Sequence, residues 1–155
     1  MIIRTAQIFD SDSVYNIANQ DSVRLVSFSQ NAINRADHKK WFENIIKKKN
    51  VILLIIIFEK VIVGYIRFDI KDKEAEISIV LLDSYQNRGL GKIALKKSIE
   101  ILISKFAEVN YIIAFVLSEN SRSTYFFEKN KFIYKGNSII KSRKAKKYVY
   151  EIINK

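Results

Sequence analysis

Gln86, Gly89 and Gly91 stand as Q-x-x-G-x-G within YQNRGLGKIALKKS, residues 85–98, so two of the chain's four glycines fall two positions apart. Ahead of them EAEISIVLL, residues 74–82, alternates like a strand; behind them a helical pattern runs to about Phe106. Glycine at a strand-to-helix turn permits positive φ and the close approach of a second backbone or a ligand. A helix start adds N–H groups without intrahelical partners and the positive end of the helix dipole. Together these make a site for an anion, most often phosphate, although a tight turn with no ligand uses glycine too. A Walker loop fails, because Gly91-Lys92 is followed by Ile93, which has no hydroxyl for magnesium. A dinucleotide-binding turn fits poorly: Ala94 stands where its third glycine belongs, and too little sequence follows for a doubly wound sheet.

The strand that enters this loop carries the next candidates. Ala75, Ile77, Ile79 and Leu81 alternate with Glu76, Ser78 and Val80, which puts Glu76 and Ser78 on one face, where a catalytic group is to be sought. Residues 2–7 read as a strand, and Asp10 or Ser11 caps a helix to about Gln20. Residues 21–35 lack a strong period and read as a loop or broken helix, of the kind that carries substrate contacts. Asp37 then caps a second helix with an apolar stripe of Trp41, Phe42, Ile45 and Ile46, a pattern that usually packs a core. Residues 51–58 and 61–70 read as antiparallel neighbours joined by a tight turn at Glu59-Lys60. Residues 111–117 read as a buried strand parallel to 74–82 across the intervening helix. Residues 120–130 read as a short helix, and the end as a hairpin of 132–134 and 148–152 around a basic run.

Composition bounds the function. At 155 residues, nearly half of them apolar, the chain is read as one domain, 1–155. It has no cysteine and one histidine, which rules out a disulfide framework and a thiolate or histidine zinc site, so no metal is expected. The most apolar run, residues 51–58, is far shorter than a bilayer span, and no signal core follows the N-terminus; a soluble cytoplasmic protein with no membrane partner is the reading. The net charge of +11 invites nucleic acid, but only KSRKAKK, residues 141–147, is dense and free of acidic residues. Solvated faces and attraction for a phosphate-bearing small molecule account for the rest, without a nucleic-acid partner.

The Gln86, Gly89, Gly91 pattern resembles the pyrophosphate loop of the GNAT superfamily, the acyl-CoA-dependent N-acetyltransferases. A second stretch, NSRSTYFFEKNKF, residues 120–132, is similar to the family's N-x-x-A-x-x-L-Y-E-K-x-G-F, with Asn120, Phe126, Glu128, Lys129 and Phe132 in step. The resemblance spans essentially the whole chain. It implies a mixed α/β fold: a central, mostly antiparallel sheet with one splayed parallel pair of strands, flanked by helices. It also implies acetyl-CoA as co-substrate, held by Gln86, Asn87, Arg88, Gly89, Leu90, Gly91 and Lys92, with its thioester carbonyl on an amide near Val80 or Leu81. Asn120 would meet the pantetheine arm, or serve only as a helix cap. Phe127 stands where the family usually places a tyrosine that protonates the leaving thiolate, and Lys131 replaces a glycine. Tyr125 lies roughly 200° around the helix from that position, so solvent is left to protonate a weakly basic thiolate.

An amine must be neutral to attack a thioester, which calls for a base near the fourth strand. Glu76 is the candidate, with Glu74 or Ser78 as its partner; a solvated strand carboxylate is the plain alternative. His38 also titrates near neutrality, although a lone histidine near a helix start is more often a cap or packing residue. Residues 23–42, with VGYIRFD and EAEISIVL, look like the branch that acetylates nucleotide-linked amino sugars in pseudaminic acid biosynthesis. By that analogy Arg24, Ser27, His38, Trp41 and Arg67 line the acceptor side, arginine on diphosphate and an aromatic on base or sugar. The rivals are protein or peptide N-terminal acetylation, which needs an open groove beside the second helix and final hairpin, a CoA-binding regulatory module, and a basic nucleic-acid binder. A homodimer is left open as a partner arrangement.

Overall fold

The most apolar strands form the middle of one sheet and organise the rest. In a computed structural model that describes residues 1–153, β1 (Ile2–Thr5), β2 (Val51–Phe58), β3 (Val61–Lys71), β4 (Glu74–Leu81), β5 (Tyr111–Leu117), β6 (Ile133–Ile140) and β7 (Arg143–Glu151) make a single seven-stranded sheet. Asn154 and Lys155, the last two residues of the expected domain, lie outside the described residues. The strand order is β1-β2-β3-β4-β5-β7-β6, and every neighbouring pair is antiparallel except β4 with β5. That parallel pair needs a crossover, which is the helix α4 (Leu90–Lys105). The remaining helices are α1 (Ser11–Ala18), α2 (Asp21–Leu25), α3 (Arg35–Ile45) and α5 (Ser121–Lys129). This is the mixed sheet with one parallel pair that the sequence led us to expect.

Strand alternation divides the core into two layers. One face of β2 sends Leu54 and Ile56 towards Ala94 and Leu102 of α4 and Phe127 of α5; the other sends Leu53 and Ile55 towards Val14, Phe42 and Ile45 of α1 and α3. Full burial of each such side chain contributes about 1.5–3 kcal/mol, so α1 and α3 are anchored by a few residues each. Glu59 and Lys60 close the β2–β3 turn with φ of 51° and 67°, the primed geometry of a tight hairpin, here without glycine.

Several boundaries differ from the sequence reading. α1 ends at Ala18 rather than Gln20, and Asp10 does not cap it: its carboxylate takes two hydrogen bonds from Arg4, at 2.7 and 2.8 Å, and one from the Gln7 amide at 2.7 Å. The cap of α3 is Asn34, whose side chain accepts from the Asp37 amide at 3.1 Å; Asp37 sits in the first turn. The largest difference is at the end. The basic run is not a loop between two short strands: only Lys141 and Ser142 turn, and the rest of it is β7 itself. Ala145 and Tyr148, three apart and so on opposite faces of β7, are both buried, while Lys144 is exposed and Lys146 and Lys147 are half-buried.

Candidate active site

The ladder between β4 and β5 stops early, and the site begins there. Glu74, Ala75 and Glu76 pair with Tyr111, Ile112 and Ile113; beyond them the two strands no longer meet. β4 stays bound to β3 as far as Leu81, and β5 stays bound to β7 as far as Leu117. Each strand is therefore fixed on its outer edge, while residues 77–81 and 114–117 leave inner edges unpaired across a V. The V opens into a cleft of about 590 Å3, lined by Ile77 to Leu81, Phe115 to Leu117, Asn120 and Phe127, with Ser22 to Phe28 on the remaining side.

At the far end of β4 the glycine loop takes the geometry its residues dictate. Gln86 Nε2 donates to the Leu81 carbonyl and to Asp83 Oδ1, both at 3.2 Å, and the Arg122 guanidinium donates to Gln86 Oε1. Asn87 and Gly89 have φ of 58° and 75°, and α4 starts at the next residue. A Cβ at Gly89 would meet nothing within 4 Å, so the glycine serves the backbone conformation and leaves open space before the helix N-terminus. Gly91 serves packing: a Cβ there would lie 3.0 Å from the Phe126 ring. The first turn of this 16-residue helix carries no acidic residue.

The adjoining cavity, about 310 Å3, receives Gln86, Asn87, Gly89, Gly91 and Lys92. Arg88 and Leu90 are placed elsewhere. Arg88 lies over the rings of Phe58 and Tyr85, at 5.4 and 5.2 Å, and Leu90 is buried in the core. In their stead α5 supplies Arg122, Ser123, Tyr125 and Lys129, which sequence reasoning did not assign to this site. Asn120 combines both of its readings: it caps α5 by accepting from the Ser123 amide at 3.2 Å, and it lines the cleft. Phe127 is 5 % exposed, edge-on to Phe126 and Phe132, and also reaches the cleft wall.

A third cavity, about 320 Å3, lies on the α1–α3 face of the sheet. Arg24, His38, Trp41 and Arg67 line it together with Tyr65 and Ser78. Ser78 is a lining residue of this cavity and of the cleft alike. Across the β3–β4 ladder, Tyr65, Arg67 and Asp69 face Val80, Ser78 and Glu76. Arg67 binds Asp69 through two hydrogen bonds, at 2.6 and 3.0 Å, and lies 5.6 Å from the Trp41 ring centre. Trp41 is half-buried and faces the cavity, whereas Phe42 and Ile45 of the same stripe enter the core.

The remaining predicted residues divide. Arg24 is committed to its own loop, donating to the Ala18 carbonyl at 2.9 Å, the Ser29 carbonyl at 2.9 Å and Ser27 Oγ at 3.2 Å. Ser27 lines the cleft, not the third cavity. His38 is 5 % exposed, ringed by Tyr15, Trp41 and Phe42, and its Nε2 has no hydrogen-bond partner. Burial pushes its pKa down against the pull of Asp12, helped by Arg35, so the imidazole is neutral at pH 7. Glu76 moves the other way: loss of hydration, then the Asp69 charge, raise its pKa, and Arg67 only partly offsets them. Burial lifts the Tyr65 hydroxyl to about 12, against Arg24 and Arg67, which keeps it a neutral donor. Tyr65 was missed in the sequence, although its position two before Arg67 places it on the same strand face.

This geometry agrees with what comparison finds. The Acetyltransferase (GNAT) domain family matches residues 1–133. The chain belongs to the GNAT acetyltransferases. As such it is an acetyl-CoA-dependent N-acetyltransferase, and the unpaired β4 edge with the glycine loop beyond it fits a long, phosphate-ended acyl carrier. Among solved structures, the aminoglycoside acetyltransferase AAC(6')-Ib with coenzyme A is 18 % identical, with a TM-score of 0.83 over 96 % of this chain and 93 % of that one. A ribosomal-protein-alanine N-acetyltransferase from Brucella melitensis is 19 % identical, with a TM-score of 0.81 over 98 % and 100 %. Spermidine N-acetyltransferase from Vibrio cholerae, in complex with CoA and spermine, is 15 % identical, with a TM-score of 0.84 over 97 % and 94 %. No curated protein sequence matches the chain. Among the described residues no group of three or more His, Cys, Asp or Glu side chains is placed to hold a metal, and no helix is long and apolar enough to cross a membrane.

Proposed function

We propose that this GNAT enzyme transfers the acetyl group of acetyl-CoA directly to a primary amine on a nucleotide-linked amino sugar. The observation that carries the reading is that Ser78 lines two cavities, one reaching Gln86 of the glycine loop and the other lined by Arg67, Trp41 and Tyr65. The similar folds named above belong to enzymes named for an aminoglycoside, a ribosomal protein and a polyamine, so the fold leaves the acceptor open and the side chains must choose. Arg24 and Arg67 line the third cavity with Asp37, and Asp69 holds Arg67 through two hydrogen bonds. A diphosphate on the acceptor would take the place of Asp69 on the Arg67 guanidinium, whose planar fork suits phosphate oxygens. Trp41, with Arg67 over its ring, offers a flat face to a base or sugar.

Each residue has a role in the transfer. An amide near Val80 or Leu81 on the unpaired edge holds the thioester carbonyl, Gln86, Asn87, Gly89, Gly91 and Lys92 hold the pyrophosphate, and Glu76 takes the proton from the amine. Glu76 and Val80 are four steps apart on the strand, about 13 Å along the backbone, so Glu76 acts through water, with Ser78 halfway along the relay. Its raised pKa, from lost hydration and the Asp69 charge, makes it a stronger base than an ordinary carboxylate. The chain has no cysteine, so transfer proceeds without a cysteinyl acyl-enzyme.

Free CoA release is the test, with UDP-linked 4-amino sugars, N-terminal peptides, spermidine and an aminoglycoside as acceptors, for the wild type and Glu76→Gln. Turnover is expected with the amino sugar and is lost in the variant. Turnover with peptides alone would reject the acceptor class. Tight acetyl-CoA binding without turnover on any amine would point to a binding module.

A further inference from the structure

The acetyl-transfer reading leaves the basic run unused, yet the fold gives part of it a definite place. Lys141 and Ser142 make the two-residue turn between β6 and β7, with φ of 47° and 63°. From this turn Lys141 Nζ donates to Ser29 Oγ at 2.9 Å. Arg143 donates to the Ser27 carbonyl at 2.5 Å, and its other terminal nitrogen pairs with Glu119. Ser27 and Ser29 lie in the stretch between α2 and α3, and Glu119 lies just after β5. Ser27 and Glu119 both line the cleft, one from the α2–α3 stretch and the other from the segment after β5. Arg143 therefore ties the hairpin tip to two separate parts of its lining at once.

The α2–α3 stretch is also held from within. Arg24 grips the Ser29 carbonyl and Ser27 Oγ, Ser27 Oγ donates to the Val23 carbonyl at 2.5 Å, and Gln30 Nε2 donates to the Leu25 carbonyl at 2.7 Å. A segment without regular secondary structure is thus fastened on both flanks, where an ordinary surface loop would move freely.

We propose that this clasp sets the acceptor class: it bridges the open side of the cleft and turns a through-groove into a closed chamber for a small-molecule amine. The inference rests on the acetyl-transfer reading. An extended polypeptide needs about 4.7–4.9 Å of clear backbone spacing on each side to lie between two segments. Here the segments that would border it, residues 27–29 and 141–143, are in direct hydrogen-bond contact, and no chain passes between them. The acceptor must enter on the α1–α3 side, past Trp41 and Arg67, and stop at Ser78.

The test uses the full chain carrying Lys141→Ala and Arg143→Ala together, and Arg143→Lys alone. Amide hydrogen exchange over residues 26–30 is expected to quicken by about tenfold or more in the double variant, since even one charge-assisted hydrogen bond is worth roughly that factor. The KM for the small amine should rise by about tenfold while kcat and acetyl-CoA affinity hold within about twofold, the split expected when binding alone is lost. Acetylation of an N-terminal peptide that the wild type rejects should appear. Arg143→Lys, which can reach Ser27 or Glu119 but not both, should fall between. Unchanged exchange, or faster exchange with unchanged KM and peptide rejection, would overturn the proposal, as would a wild type that acetylates the peptide as readily as any small amine. Failure of the acetyl-transfer reading has a different signature: no amine releases CoA from the wild type, whereas the exchange difference persists.

Discussion

Gly64 lies opposite Leu81 in the β3–β4 ladder, at the place where the reacting carbonyl is assigned its amide. A Cβ added there would fall well inside contact with the Val80 carbonyl oxygen, 2.7 Å from Leu81 Cδ2 and 3.2 Å from Leu81 Cα. The leucine methyl can rotate away, but the carbonyl and the Cα are backbone and can yield only if β4 moves. Relief calls for about 1 Å of displacement, and overpacking of this kind costs about 1–3 kcal/mol. For a chain of this size that is a fall in Tm of about 2–12 °C. Misplacement of a reacting group by about 1 Å costs on the order of 100-fold in rate. Gly64→Ala should therefore lower kcat by about that factor at saturating acetyl-CoA, while calorimetry still finds acetyl-CoA bound, because the glycine loop lies beyond the disturbed pairs. Gly89→Ala is the control. Its φ of 75° makes alanine unfavourable by about 1–2 kcal/mol, but no atom obstructs the side chain, so binding should weaken while kcat at saturation is kept. A Gly64→Ala protein with lowered Tm and full kcat would refute the assignment of the Val80–Leu81 amides.

Three further outcomes follow from the site and the core. Glu76 must be deprotonated to act, so kcat/KM should rise with pH through a limb set above the ordinary carboxylate value by lost hydration and Asp69; Asp69→Asn should shift the limb to lower pH, and Glu76→Gln should cost about 10²–10⁴-fold and abolish it. Phe127→Tyr should leave kcat within about twofold, since a thiol of pKa ~8.5 leaves without an acid; a tenfold gain would show that protonation limits the wild type. Burial pushes the Asp10 carboxyl up, but hydrogen bonds from Arg4 and the Gln7 amide outweigh it and leave the pKa lowered. Its contribution to stability is thus complete above the unfolded carboxyl's pKa and disappears as pH falls through the lowered folded value. Asp10→Ala should cost about 2–3 kcal/mol in urea unfolding at pH 7, below the full cost of breaking a buried pair because the Arg4 side chain is 32 % exposed, and should flatten the acid limb of stability.

The cofactor half of the site was legible because its signal is local. Gly89 and Gly91 report backbone conformation and helix packing directly, and the alternation before them reports a strand, so one short stretch carries both position and chemistry. The acceptor half draws on Arg24, Trp41, Arg67 and Ser78, which come from four separate elements and meet only through tertiary packing. An apolar stripe cannot reveal that Trp41 turns to a cavity while Phe42 enters the core, because both occupy the same broad face of α3. Arg122 and Tyr125 escaped for a similar reason: they are polar surface residues by pattern, and only the packing of α5 against Gly91 brings them beside the glycine loop. The C-terminal hairpin was misjudged because lysine density suggests a solvated loop, whereas strand pairing constrains the backbone and leaves long side chains free to reach water.

The early end of the β4–β5 ladder explains why one edge of a sheet can become a binding site without losing the sheet. Every backbone N–H and C=O of a buried strand needs a partner, and a strand stripped on both sides would not hold its conformation. β3 holds β4 through Leu81, and β7 holds β5 through Leu117, so each strand is rigid from its outer neighbour alone. The inner edges then offer fixed, unpaired donors and acceptors to whatever enters the V. A ligand with an amide-bearing arm can pair with such an edge as a third strand would, and a pyrophosphate beyond it reaches the positive end of α4 without any change in the protein backbone. An acceptor bound in the cavity on the α1–α3 face would approach Ser78 from a second direction, and direct transfer between donor and amine would then need no covalent relay on the protein.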